Sequence, residues 1–81
     1  MESKIKNLIE KELESINVIV DSIVYESEGN TKYLRICIDS SDTLDTNLIV
    51  KATHIINPIL DKEDLIKEAY ILDIYGKSKG E

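Results

Sequence analysis

Apolar positions along this chain follow two periods in turn, and each change of period marks a change of element. From residue 4 to 15, Ile5, Leu8, Ile9 and Leu13 recur at spacings of three, one and four. That is the stripe of one helix face. Lys4, Lys6, Glu10, Lys11, Glu12 and Glu14 fall between them as a solvated face with i,i+4 pairs, and Ser3 stands as the N-cap. Residues 17–27 then become dense in β-branched and aromatic side chains: Val18, Ile19, Val20, Ile23, Val24 and Tyr25. Such density predicts a strand. Its alternation slips at Asp21-Ser22, which predicts a bulge or a change of face.

Glu28-Gly29-Asn30-Thr31 reads as a turn, because Gly29 and Asn30 both tolerate positive φ. Lys32 to Asp39 alternates cleanly, with Leu34, Ile36 and Ile38 on one face and Tyr33, Arg35 and Cys37 on the other. The two strands therefore form an antiparallel hairpin with one buried face. The polar run Asp39-Ser40-Ser41-Asp42 leads to Thr43 as a helix N-cap, with Asp45 in the first turn at the positive end of the dipole. A second helix is expected over about 44–60, striped by Leu48, Ile49, Ala52, Ile55, Ile56, Ile59 and Leu60, with Pro58 kinking its last turn. Asp61 to Asp64 is a charged connector, or a further helical turn that runs on through Lys67. Ala69 to Tyr75 alternates again as a third strand, with Tyr70, Leu72 and Ile74 on one face.

The order helix, strand, strand, helix, strand defines an α+β fold, a two-layer α/β sandwich in which two helices cover one face of a three-stranded sheet. The opposite face is then left to water or to a partner. Residues 1–75 make a single domain, and the small polar run 76–81 is a flexible tail or the start of a linker. With 81 residues there is room for one small core, which at this size supplies roughly 3–5 kcal/mol.

Charge narrows the partners. Ten Lys and Arg stand against 16 Asp and Glu, a net −6 at pH 7. No broad basic face for duplex nucleic acid can be built from that balance. A local basic spot remains available, and so does a basic protein steered by the acidic field. One cysteine, Cys37, allows no internal disulfide and no C-x-x-C zinc pair, the usage of a cytoplasmic domain. Apolar runs such as Val18 to Val20 fall far short of a membrane span, which takes about 18 residues.

Candidate chemistry is thin. Cys37 and His54 are the only thiol and the only imidazole, a conceivable nucleophile pair that lacks an orienting acid at recognisable spacing. Asp39, Asp42 and Asp45 recur every three residues, yet a Ca²⁺ loop wants a glycine turn and a distal bidentate Glu. Gly76-Lys77-Ser78-Lys79-Gly80 carries P-loop residue types without the helix that must follow. It reads as a basic tail in which Lys77 and Lys79 are weak RNA-backbone contacts. Tyr33 and Arg35 on the outward face, with Tyr25 beside them across the hairpin, suit a protein interface, base stacking or plain cross-strand pairing. No residue set amounts to an active site, metal site or cofactor site.

Several strings, in order, resemble the N-terminal domain of the ribosome maturation factor RimP family. Tyr33-Leu34-Arg35-Ile36-Cys37-Ile38-Asp39 is similar to a family strand ending in Ile-Asp, and Thr43-Leu44-Asp45 to the recurrent Thr-Leu-Asp of its helix start. Pro58 to Asp64 resembles its Leu-Asp-x-x-Asp helix exit, and Tyr70-Ile71-Leu72-Asp73-Ile74 its Tyr-x-Leu-Glu-Val strand. The resemblance covers about Ile16 to Ile74. It implies a cytoplasmic, non-enzymatic factor binding the small ribosomal subunit late in assembly, built as this α/β unit followed by an SH3-like barrel. No barrel-like segment lies within these residues, and the run from Tyr75 to Gly80 departs from the family's Ser-Ser-Pro-Gly.

The expectation is an accessory domain that binds small-subunit ribosomal protein and rRNA through Tyr25, Tyr33, Arg35, Lys77 and Lys79, as a monomer or weak dimer. No small-molecule substrate and no membrane enter it. A homodimerising or protein-interaction module unrelated to ribosomes is the alternative, resting on the bare face or an open edge strand.

Overall fold

The computed structural model describes residues 2–41 and 44–77. Helix α1 spans Glu2–Leu13 and passes through a 3₁₀ turn, Glu14–Ile16, into strand β1, Val18–Glu28. Strand β2 is Thr31–Ser40, helix α2 is Thr46–Glu63, and strand β3 is Ile71–Gly76. The sheet order is β1-β2-β3, antiparallel between β1 and β2 and parallel between β2 and β3. The α+β fold and its element order are those the sequence predicts.

Both helices bury their stripes against one face of the sheet. Ile5, Ile9 and Leu13 of α1 and Ala52, Ile56 and Leu60 of α2 close over Val18, Val20, Leu34, Ile36 and Ile38. Asn17 joins α1's exit to β1 in the left-handed region, at φ 58°. At the hairpin tip Gly29 alone takes positive φ, +62°. A positive φ at the first central position only is the sign pattern of a type II′ turn, which suits strand twist and favours glycine there.

The bulge falls where the alternation slips. Val20 pairs Ile38 and Ser22 pairs Cys37, so Asp21 has no partner in the register. Beyond it the parity of β1 is reset: Ile23 opposes Ile36 and Tyr25 opposes Leu34. Residues directly opposed in an antiparallel pair share a face, so Tyr25 belongs to the helix-covered side and not beside Tyr33 and Arg35.

Helix α2 differs from expectation at both ends. Its N-cap is Asp45, whose Oδ1 accepts from the Leu48 N–H at 2.9 Å, with the helix starting at Thr46. A carboxylate at that position satisfies an orphan amide and meets the dipole at once. Asp42 and Thr43, the latter expected as the cap, lie outside the described residues. At the other end the helix continues past Pro58 to Glu63, so the expected connector supplies its last turn. Asp64, at φ 47°, ends it with its N–H on the Leu60 carbonyl at 2.9 Å. Strand β3 begins at Ile71, two residues later than expected, and reaches Gly76.

Candidate functional site

The face of the sheet turned away from the helices is the chemically distinctive surface. Parity assigns it Ile19, Ser22, Val24 and Glu26 from β1, Tyr33, Arg35, Cys37 and Asp39 from β2, and Ile71, Asp73 and Tyr75 from β3. Four of the large apolar side chains on it are exposed: Ile19 by 54%, Val24 by 41%, Ile71 by 49% and Tyr75 by 43%. A scattered exposed leucine means little, but apolar side chains gathered on one uncovered face read as an interaction site.

Arg35 sits at the centre of this face and is not free. Its Nη2 donates to Glu28 Oε2 at 2.9 Å, and its Nη1 is hydrogen-bonded and ion-paired to Glu26. Asp73 on the neighbouring strand lies 3.5 Å from Nε, too far for a hydrogen bond, which leaves that buried N–H with charge attraction alone. The guanidinium carbon also lies 4.6 Å from the Tyr33 ring centroid, within cation–π range. The Glu28 hydrogen bond raises the Arg35 pKa above its ordinary value; burial opposes that, and the charges of Glu26, Glu28 and Asp73 add to it. Arg35 therefore organises the face, pinning three carboxylates and one aromatic ring, and has little capacity left for a phosphate.

Tyr25 makes different contacts. Its hydroxyl donates to Glu68 Oε1 at 2.6 Å, and its backbone N–H donates to Glu2 Oε2 at 3.2 Å. The Glu68 hydrogen bond, followed by burial and the Glu68 charge, pushes the phenol up to about 12. Lys77 is tied down as well, its Nζ 3.1 Å from Asp21 Oδ1 and its N–H on the Ile38 carbonyl at 2.8 Å. Lys79 lies outside the described residues. Of the five residues singled out from sequence, the fold thus brings Tyr33 and Arg35 together, sets Lys77 at the same face's margin, and turns Tyr25 away.

Cys37 faces outward as its alternation requires, yet is only 6% exposed. It sits on the central strand, with Ser22 paired on one side and Tyr75 on the other. Burial, and next the Asp21 charge, raise the thiol's pKa, which keeps it protonated and unreactive. His54 belongs to α2, across the sheet from Cys37, so the two do not form a nucleophile pair. Asp45 is occupied as a cap, and Asp39 Oδ1 accepts from the Ser40 N–H at 2.7 Å. An open groove of about 530 Å³ runs between α1 and α2, with Leu8 and Ile59 flanked by Lys4, Lys11 and Lys62. It holds neither the thiol nor the imidazole.

Sequence reasoning missed the apolar share of the bare face. Ile71 and Tyr75 announce themselves by parity, lying at odd positions of β3 opposite the inward Leu72 and Ile74. Ile19 and Val24 could not be placed on one face without knowing the length of the bulge between them.

By architecture, then, the chain is a two-layer α+β domain with an uncovered sheet face. It belongs to the RimP N-terminal domain family, whose model matches residues 8–76, from the middle of α1 to the last residue of β3. That family is one of ribosome maturation factors and is not a known enzyme family, which sets the general role of the chain. Among the described residues no helix is long and apolar enough to cross a membrane.

Proposed function

We propose that this domain acts without catalysis, in the cytoplasm, as an accessory factor in maturation of the small ribosomal subunit, and that it docks through its bare sheet face. The observation that carries this reading is the exposure of Ile19, Val24, Ile71 and Tyr75 on one face, together with the carboxylates Glu26, Glu28 and Asp73. An apolar surface set among carboxylates in a chain of net charge −6 suits a basic ribosomal protein. Bare rRNA suits it less, because like charges repel phosphate and both Arg35 and Lys77 are already ion-paired. The same carboxylates oppose face-to-face self-association, which favours the ribosomal reading over a homodimerising module.

Co-sedimentation of the domain with immature small subunits tests this. Binding is expected, weakening as salt rises, and expected to fall about tenfold or more when the adjacent Tyr33 and Ile71 of that face are both changed to alanine. Undiminished binding by that double variant would remove the face from the account, and no binding to any small-subunit preparation would remove the ribosomal partner.

A further inference from the structure

The two edges of the sheet are treated differently. On β1, two of the N–H groups that point away from β2 are met by helix α1: Val20 N–H donates to Glu10 Oε2 at 3.3 Å and Tyr25 N–H to Glu2 Oε2 at 3.2 Å. Two carboxylates from one face of α1 thus occupy part of the long edge, which would otherwise offer those donors to another strand.

Strand β3 has no such cover. The Lys77 N–H donates to the Ile38 carbonyl, which fixes the phase of the parallel ladder. Residues 71, 73 and 75 then turn their backbone groups toward β2, while Leu72 and Ile74 turn both N–H and C=O outward. Among the described residues nothing is bonded to those outward groups. The side chains flanking this open edge on the bare face are Ile71, Asp73 and Tyr75: apolar, anionic, apolar. Asp73 is about half-exposed, and its contact with Arg35 is the longest of the three that Arg35 makes.

We infer that the β3 edge accepts an extended cationic segment of a partner protein as a fourth strand. The partner segment has the pattern apolar-x-Arg/Lys-x-apolar. Backbone pairing at Leu72 and Ile74 supplies attachment, and the alternate side chains supply selectivity, the usual division in strand addition. The cation meets Asp73, and the two apolar residues meet Ile71 and Tyr75. A pattern symmetric about the cation fits in either strand direction. A second copy of this chain is the wrong occupant, since two β3 strands paired antiparallel about their middle would set Asp73 against Asp73, and like charges across a pair destabilise it. The inference deepens the proposed function by saying how a protein partner is held, and it rests on that reading only for where the partner comes from.

The test uses a blocked peptide, Thr-Val-Thr-Arg-Thr-Val-Thr, against the same peptide with Glu for Arg and against one N-methylated on alternate amides. Amide exchange at Leu72 and Ile74 is expected to slow about tenfold with the Arg peptide and not with the other two. Asp73→Lys should reverse the preference toward the Glu peptide, and the milder Asp73→Asn should abolish it. Equal slowing by the N-methylated peptide, or no slowing by the Arg peptide, overturns the inference. So does protection of both amides in the free protein, which at high dilution means cover by its own chain and, if it depends on concentration, by a second copy. A peptide result in either direction is independent of co-sedimentation, so the edge and the ribosomal reading can fail separately.

Discussion

Asp21, the residue that the bulge leaves out of register in β1, holds Lys77 at 3.1 Å from the far side of the sheet. The two come from opposite edges, 56 positions apart, and the charges of both act on Cys37 between them. One ion pair thus ties the two edges of the sheet together over the central strand and helps to enclose the only thiol.

Labelling of Cys37 follows from that arrangement. With the thiol buried and its pKa raised, a maleimide at pH 7 should react slowly with the native domain and quickly in urea. Replacing Asp21 by Asn and Lys77 by Met should speed native labelling severalfold. Equal rates in the variant and the parent would mean that the ion pair does not control access.

Arg35→Met should lower the urea-unfolding midpoint modestly, since partly exposed ion pairs contribute little. The loss has two sources, the pairs themselves and the repulsion left among Glu26, Glu28 and Asp73. Salt screens both the attraction in the parent and the repulsion in the variant, so the deficit should shrink at high ionic strength. A deficit that grows with salt contradicts this account.

Alkaline titration reports on Tyr25. Its phenol is raised from 10.0 to about 12 in the fold, so the folded state favours the protonated form. The stabilisation is therefore fully present below the unfolded value of 10.0 and is lost as pH rises through about 12. The phenolate absorbance difference between the parent and Tyr25→Phe should titrate near the upper value. Glu68→Gln should bring it back toward the lower one, and a Tyr25 transition near 10 in the parent would refute the Glu68 contact.

Core and bare face should respond oppositely to truncation. Ile36, fully buried on the central strand, should cost about 2–5 kcal/mol on change to alanine. That is comparable to the whole stability of a core this size and should leave the variant largely unfolded by circular dichroism. Val24→Thr, at an exposed position on the other face, should stay within about 0.5 kcal/mol.

Much of this was legible from the residues in order. A three-four stripe such as Ile5, Leu8, Ile9 and Leu13 makes a helix wherever it finds a core. The strict alternation of Leu34, Ile36 and Ile38 makes a half-buried strand, and Gly29 can close only a tight turn. Even the bulge showed, because a period of two cannot absorb Asp21 without slipping. The Tyr33 and Arg35 pair on the bare face was legible for the same reason.

Other features depend on what lies across the fold. Tyr25 changed faces because a bulge resets parity by one, and only the register with Leu34 says where the count resumes. Cys37 is buried by its central position between two strands, a property of sheet order and not of its neighbours in the chain. Local pattern thus determined which segments become helix or strand and which side chains seek the core, since those depend on contacts a few residues apart. The partners of Lys77 and Arg35, the hold of Glu2 and Glu10 on two amides of one sheet edge, and the openness of the other edge were decided only by tertiary structure, because each depends on groups that chain folding brings together from distant positions.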